Sequence, residues 1–439
     1  MNRLYVIFCL SLLISVHSWA QRNCGYPLIV NEAEARFPGT RSNLATKRQE
    51  AYNRATQAYQ SKAKSTLKTT TTNIIPVVFH FVIDSIAFKA VGGISGIEDR
   101  INSQLTALNN DYNANNADKI KIPSVWTSLY ANIGITFKLA HIDPSGAYTK
   151  GYDIVIVPNG TEYDANTAAK PAKFSSTGGI DAWDNTRYLN IWVTKLQAMG
   201  GSVLGVTISP SLPGYTIPER GIAVHLYAFG VRKSFSEPYI TNIDKGRTLT
   251  HEIGHYFNLE HTWGDDNGLC PGSGGIDDGI ADTPPEADAI FGAPSFPLFD
   301  TCSRASSISG VMFMNYMDYT DDISMYMFTK DQATVMQGQL LPGGDSYTLT
   351  QHPSLGISLN KQLDEIYLYP NPCKEVIYIQ FPQTSKLNKW EMLNLVGQKV
   401  LEQTESTINN IDVSGLNKGI YFVRLYFDNN TYTQKIIVE

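Results

Sequence analysis

The sequence predicts an α/β domain built on a mixed twisted sheet with one active-site helix, followed by a small all-β sandwich. Three observations predict it. Between residues 74 and 248 an apolar strand-like run is followed by an amphipathic helix and then by further strand-like runs. A histidine-bearing helical segment comes next, and beyond it the chain is rich in Gly, Asp, Pro and Ser with few apolar residues, an irregular lower subdomain. In the last quarter, short runs of alternating apolar residues are separated by Pro, Asn and Gly, the pattern of antiparallel strands and turns.

At 439 residues the chain is too long for a single core, and ordinary apolar content with a net charge of -6 describes soluble globular domains rather than a nucleic-acid binder. Arg3, the apolar run over residues 4–16 and Ser18-Trp19-Ala20 read as a secretory signal peptide over 1–20. No later run is long and apolar enough to span a bilayer as a helix. Residues 21–72 are polar and lysine-rich, ending in Thr69-Thr70-Thr71-Thr72, and are expected to form a propeptide with an unstructured junction.

The catalytic domain is expected over 73–341. It opens with a strand at 74–83. Ser95-Gly96-Ile97-Glu98 then reads as a capping box for a helix whose Ile97, Ile101, Leu105, Leu108 and Tyr112 recur at helical spacing. Strands are predicted at 133–139, 152–157, 188–193 and 222–227, with 203–208 as the edge that receives an extended peptide. A capped helix at 329–341 closes the domain, 342–362 is the expected linker, and 363–439 forms the second unit. In it, strands are predicted at 366–369, 376–381, 390–395, 420–427 and 432–438.

The most specific chemistry lies in His251-Glu252-Ile253-Gly254-His255-Tyr256-Phe257-Asn258-Leu259-Glu260-His261, which holds three of the chain's eight histidines. His251 and His255, four apart on a helix, project from one face and can take two corners of a zinc tetrahedron. Glu252 borders the same metal, placed to take a proton from a zinc-activated water and pass it to the leaving amine. His261 can be the third ligand only if the chain turns sharply after Phe257, and Asn258 is a residue that tolerates the left-handed turn. A more distant glutamate as third ligand is the alternative. Cys270 and Cys302 are suited to pair in an oxidising compartment, a closure worth roughly 3–4 kcal/mol in the chain-entropy model.

With Asn in place of Gly, this segment resembles the metzincin signature. Downstream, Met314-Asn315-Tyr316-Met317-Asp318-Tyr319 resembles its methionine turn. The wording of both motifs, with Gly178-Gly179-Ile180-Asp181-Ala182-Trp183 and Asp282-Thr283-Pro284, resembles the pappalysin (cytophagalysin, ulilysin-like) metallopeptidases. The resemblance implies a zinc endopeptidase cleaving protein or peptide substrates, with Met317 flooring the metal ligands and Tyr319 stabilising the oxyanion. It also implies latency through Cys24, whose thiolate is a soft zinc ligand, and a structural calcium at Asp278, Ala281 and Thr283. Asp321 and Asp322 are expected near the pocket for the residue after the scissile bond, favouring Arg or Lys there; a pair of exposed acids is the plainer reading.

Tyr369-Pro370-Asn371-Pro372, Asn394-Leu395-Val396-Gly397-Gln398 and Lys418-Gly419-Ile420-Tyr421 resemble the C-terminal sorting domain of the type IX secretion pathway of Bacteroidetes. That implies a partner in the type IX machinery and a secreted or cell-surface location; a monomer is expected. The competing expectation is an inactive peptidase scaffold serving as a surface adhesin.

Overall fold

The computed structural model describes residues 22–63, 73–198, 201–265, 268–271, 275–305, 309–356, 366–381, 386–404, 410–427 and 431–439. The expected signal peptide and the Thr69–72 junction lie outside these residues. The chain divides into two compact units, Met1–Gly356 and Ile357–Glu439.

The main sheet of the first unit is made of β1 (Asn73–Asp84), β2 (Ile135–Leu139), β3 (Tyr152–Val157), β4 (Leu189–Thr194), β5 (Gly205–Ile208) and β6 (Gly221–His225), in the order β2-β1-β4-β6-β5 with β3 also beside β1. β1 reads as an almost unbroken apolar run because it is central and covered on both faces. Its first half pairs with β2, its second half with β3 and its middle with β4, all parallel. β5 alone runs antiparallel, against β6, and stands at the end of the order, as expected of the edge strand.

Helices α1 (Tyr26–Arg36) and α2 (Thr40–Ala63) come from the polar segment before the sheet, α3 (Gly93–Tyr112) crosses between β1 and β2, α4 (Arg247–Tyr256) follows β6, and α5 (Lys330–Gln339) closes the unit. The core joins β1, β4 and β6 to Ile97, Ile101 and Leu108 of α3 and to Leu249 and Ile253 of α4. α5 begins with the reciprocal capping box of Thr329 and Gln332.

Two expectations are corrected, and one segment gains its structure. Ser95 does not cap α3: the N-cap is Gly92, three residues earlier, at φ 92°. Gly96 lets that first turn close, since a Cβ there would meet the Val91 carbonyl oxygen at 1.7 Å, and Glu98 instead accepts from Lys150 and from the Tyr152 hydroxyl at 2.6 Å. Residues 342–356 are not linker; Leu349 joins the main core, and the Leu355 carbonyl accepts from His141 N at 2.7 Å. The segment before the sheet is helical and docked: Ala51 of α2 lies in the main core, and Gly338 of α5 meets it so closely that a Cβ would fall 1.9 Å from the Ala51 carbonyl oxygen.

The second unit has a three-stranded sheet, β7 (Tyr367–Tyr369), β8 (Val376–Gln380) and β11 (Asn410–Asp412), and a four-stranded one, β9 (Leu387–Asn394), β10 (Lys399–Thr404), β12 (Gly419–Phe427) and β13 (Thr431–Val438). Every pairing in them is antiparallel. β10 and β11 escape the sequence reading because they carry weak apolar alternation.

Candidate metal centre and cleft

Helix α4 is built to carry the site. Its N-cap, Gly246, sits at φ 75°, and a Cβ there would press on the Gln104 amide at 2.9 Å, the amide that donates to the Gly246 carbonyl at 2.8 Å. At its other end Asn258 adopts φ 68°, and Leu259 N returns to the Gly254 carbonyl at 3.0 Å. That left-handed turn brings His261 back to His251 and His255.

The three Nε2 atoms converge with separations of 3.0, 3.1 and 3.2 Å. The Nδ1 atoms of His251 and His255 lie 2.7 and 2.8 Å from the carbonyls of Tyr316 and Leu259, and that of His261 lies 2.8 Å from the Asp265 carboxylate. A carbonyl only accepts, so these Nδ1 atoms carry the protons and the Nε2 lone pairs face one another. Burial and the neighbouring imidazoles push His251 and His255 well below the ordinary histidine range, so protonation does not relieve that crowding. Three neutral imidazole donors aimed at one point are the donor set of zinc. Cys24 completes a four-residue group whose ligand atoms all lie within 4.8 Å of one another.

Glu252 is buried beside them. Its Oε2 accepts from the Thr207 hydroxyl of β5 at 2.6 Å, and burial pushes its carboxyl up to about 7. Gly205 makes room for it, since a Cβ there would lie 2.5 Å from the Glu252 carboxylate. Met317 passes beneath α4, where a Cβ on Gly254 would meet its sulfur at 2.4 Å. Tyr319 packs edge-on against His261 and Trp263, and Trp263 stacks on His261 with centroids 4.4 Å apart and planes 4° from parallel.

The segment before α1 lies along this cleft. Cys24 forms a parallel bridge with Gly205, Gly25 N donates to the Gly205 carbonyl at 2.8 Å, and Leu204 N donates to the Asn23 carbonyl at 2.8 Å. The edge of the sheet is thus covered by the chain's own segment. Cys24 N donates to the Tyr319 hydroxyl at 3.2 Å. Burial and the Glu252 charge push the Cys24 thiol well above its ordinary range in the absence of a cation.

Arg22 is buried, donates to the Thr320 carbonyl at 3.0 Å and forms an ion pair with Asp322. The second oxygen of Asp322 accepts from Lys245 N at 2.6 Å, which fixes the carboxylate. Asp321 points elsewhere, accepting from Asn242 at 2.9 Å, so the two acids do not act together.

Asp278 is fully buried and accepts from Ile280 N and the Thr283 hydroxyl, each at 2.9 Å, while Ala281 is exposed. Cys270 and Cys302 form a disulfide with Cα atoms 5.3 Å apart; Cys373 is free and buried. Sequence reasoning missed Asp265, Thr207, Gly205, Arg22 and Gly254. Of these only Asp265, a carboxylate four residues beyond a ligand, carried a readable signal.

Comparison with known proteins agrees with this geometry. Residues 176–341 match the family model described as pregnancy-associated plasma protein-A (peptidase family M43), and residues 367–439 match the secretion system C-terminal sorting domain. The chain is 37% identical to mature mirolysin of Tannerella forsythia in complex with a cleaved peptide, with a TM-score of 0.57, covering 66% of this chain and 99% of that one. It is 35% identical to a promirolysin mutant of the same organism, with a TM-score of 0.60, covering 76% and 98%. An extracellular metalloprotease of Podospora anserina is 32% identical over 218 residues, 48% of this chain and 61% of the relative. One of Colletotrichum graminicola is 42% identical over 96 residues, 22% of this chain and 31% of the relative. The chain therefore spans less than two thirds of the length of these two curated relatives.

Proposed function

This chain belongs to the pappalysin family of metallopeptidases, and we propose that it is an exported zinc-dependent endopeptidase held latent by its own amino-terminal segment. The observation that carries the reading is the convergence of three Nε2 lone pairs, each fixed by a protonated Nδ1, beside a buried carboxylate on the edge of a peptide-binding strand. Zinc, when bound there, would supply Lewis acidity to a water and to the scissile carbonyl.

The chain's own residues do the rest. Glu252, a buried carboxylate fixed by the Thr207 hydroxyl, takes the proton of the attacking water and delivers it to the leaving amine. Tyr319 presents its hydroxyl to the oxyanion of the tetrahedral intermediate; in the latent chain the Cys24 backbone amide already claims that hydroxyl. Met317 fills the space under α4 and fixes the floor of the ligand set.

Latency follows from occupancy. Cys24 would hold the fourth metal position as a thiolate, and residues 22–25 cover the edge strand that a substrate needs. Arg22 in the Asp322 pocket supports a preference for Arg or Lys after the scissile bond, because a fixed buried carboxylate is best satisfied by a guanidinium or ammonium group. Asp278, with Thr283 and the Ala281 carbonyl, offers the hard oxygens calcium takes: a buried carboxylate whose donors are neutral gains from a cation.

The C-terminal unit would address the protein to type IX secretion; among the described residues no helix is long and apolar enough to cross a membrane. The test is activation of the purified precursor. Cys24→Ala should shorten the lag before hydrolysis of a quenched-fluorescent casein peptide, and a chelator should abolish that hydrolysis until zinc is restored. An unchanged lag would remove Cys24 from latency, and chelator-resistant hydrolysis would remove the metal from the mechanism.

A further inference from the structure

Two side chains of the amino-terminal segment flank Cys24 on opposite sides. Arg22 fills the Asp322 pocket on one side. Tyr26 fills a second place on the other. Tyr26 is fully buried, and its ring stacks on the imidazole of His255 with centroids 4.0 Å apart and planes 16° from parallel. Among the described residues its buried hydroxyl has no hydrogen-bond partner.

The same segment is anchored by Arg48 of α2. Arg48 is buried and donates from Nε to the Asn258 carbonyl at 2.9 Å, from Nη1 to the Asp278 carbonyl at 3.0 Å and from Nη2 to the Glu260 carboxylate at 2.6 Å. When that segment leaves, Tyr26 and Arg48 leave together. What stays where Tyr26 was is an imidazole face fixed by its Nδ1 contact to the Leu259 carbonyl.

We propose that the place vacated by Tyr26 is a substrate subsite for an aromatic side chain on the amino-terminal side of the scissile bond, walled by His255. The inference rests on the peptidase reading above. A flat aromatic ring regains the stacking on His255, which an aliphatic chain cannot match face to face. The side of the bond follows from the layout: if a basic residue after the bond occupies the Asp322 pocket, a side chain across the histidines from that pocket precedes the bond.

The experiment is a quenched-fluorescent peptide library with arginine fixed after the scissile bond and the three preceding positions randomised, cleaved by the enzyme freed of residues 21–72. Tyrosine and phenylalanine should be enriched at one of those positions, with kcat/KM about three- to tenfold above alanine and above leucine. Cleavage with a flat profile over all three positions, or with leucine level with the aromatics, would overturn the subsite while leaving the peptidase reading intact. No cleavage of any member would fail the peptidase reading, and the subsite with it.

Discussion

The two walls of the cleft are built by different means. On one side, α4 and β5 are regular elements: Leu249, Ile253 and Tyr256 anchor α4 in the main core, and helical spacing alone sets His251 beside His255. On the other side, the chain between Trp263 and Thr329 has one short described helix, Thr301–Ala305, and holds its functional side chains by local polar contacts. Asp322 is fixed by Lys245 N, the Asp318 carboxylate takes the amides of Ile290 and Tyr319 at 2.9 and 2.7 Å, and the Cys270–Cys302 disulfide closes the segment. The difference teaches that the metal-facing histidines and Glu252 are set by helical spacing, whereas Tyr319 and Asp322 are set by local contacts that no periodicity dictates.

Substitutions on the two walls should therefore fail differently. His251→Ala should remove most of the bound zinc and lower kcat/KM by at least about a thousandfold, measured by metal analysis alongside hydrolysis. If full zinc content survived, the rigid wall would not be the metal's holder. Asp322→Asn should keep zinc at wild-type stoichiometry yet lower kcat/KM for peptides with arginine after the bond by about a hundredfold. Loss of zinc in that variant would mean the two walls are not separable.

The smallest effect is expected where the walls meet. Asp111 of α3 is fully buried, accepts from the Tyr316 hydroxyl of the irregular wall at 2.6 Å and from the Thr250 hydroxyl of α4 at 2.9 Å, and burial raises its pKa from 3.8 to about 6. The folded protein thus holds this proton more tightly than the unfolded chain does. The group's contribution is greatest below about pH 4 and is lost as pH rises through 6, by an amount on the order of 1–3 kcal/mol. Urea midpoints for wild type and Asp111→Asn at several pH values in that window should show the slope flattened in the variant. Parallel slopes would show that Asp111 does not titrate there.

The rigid wall was legible in the sequence because its information is periodic. The spacing of His251, His255 and His261 and the tolerance of Asn258 for φ 68° led directly to the convergent histidines. The irregular wall was legible only by resemblance to known motifs. No spacing rule separates Asp322, which meets Arg22, from Asp321, which turns to Asn242. The helices of residues 22–63 were not legible because α2 buries only a narrow apolar stripe and docks through Arg48, Arg54 and the close Ala51–Gly338 crossing. The start of α3 was misread because Ser95 and Glu98 have the residue types of a capping box, whereas Gly92 and Gly96 decide where the backbone can turn.

The most direct test of the central claim compares wild type and Glu252→Ala, both freed of residues 21–72, for zinc content and for hydrolysis of an arginine-containing quenched-fluorescent peptide. One zinc in each protein, with hydrolysis by the wild type only, is the predicted result. Equal hydrolysis by both would contradict the assignment of Glu252 as the base, and zinc in both with hydrolysis in neither would contradict the peptidase itself.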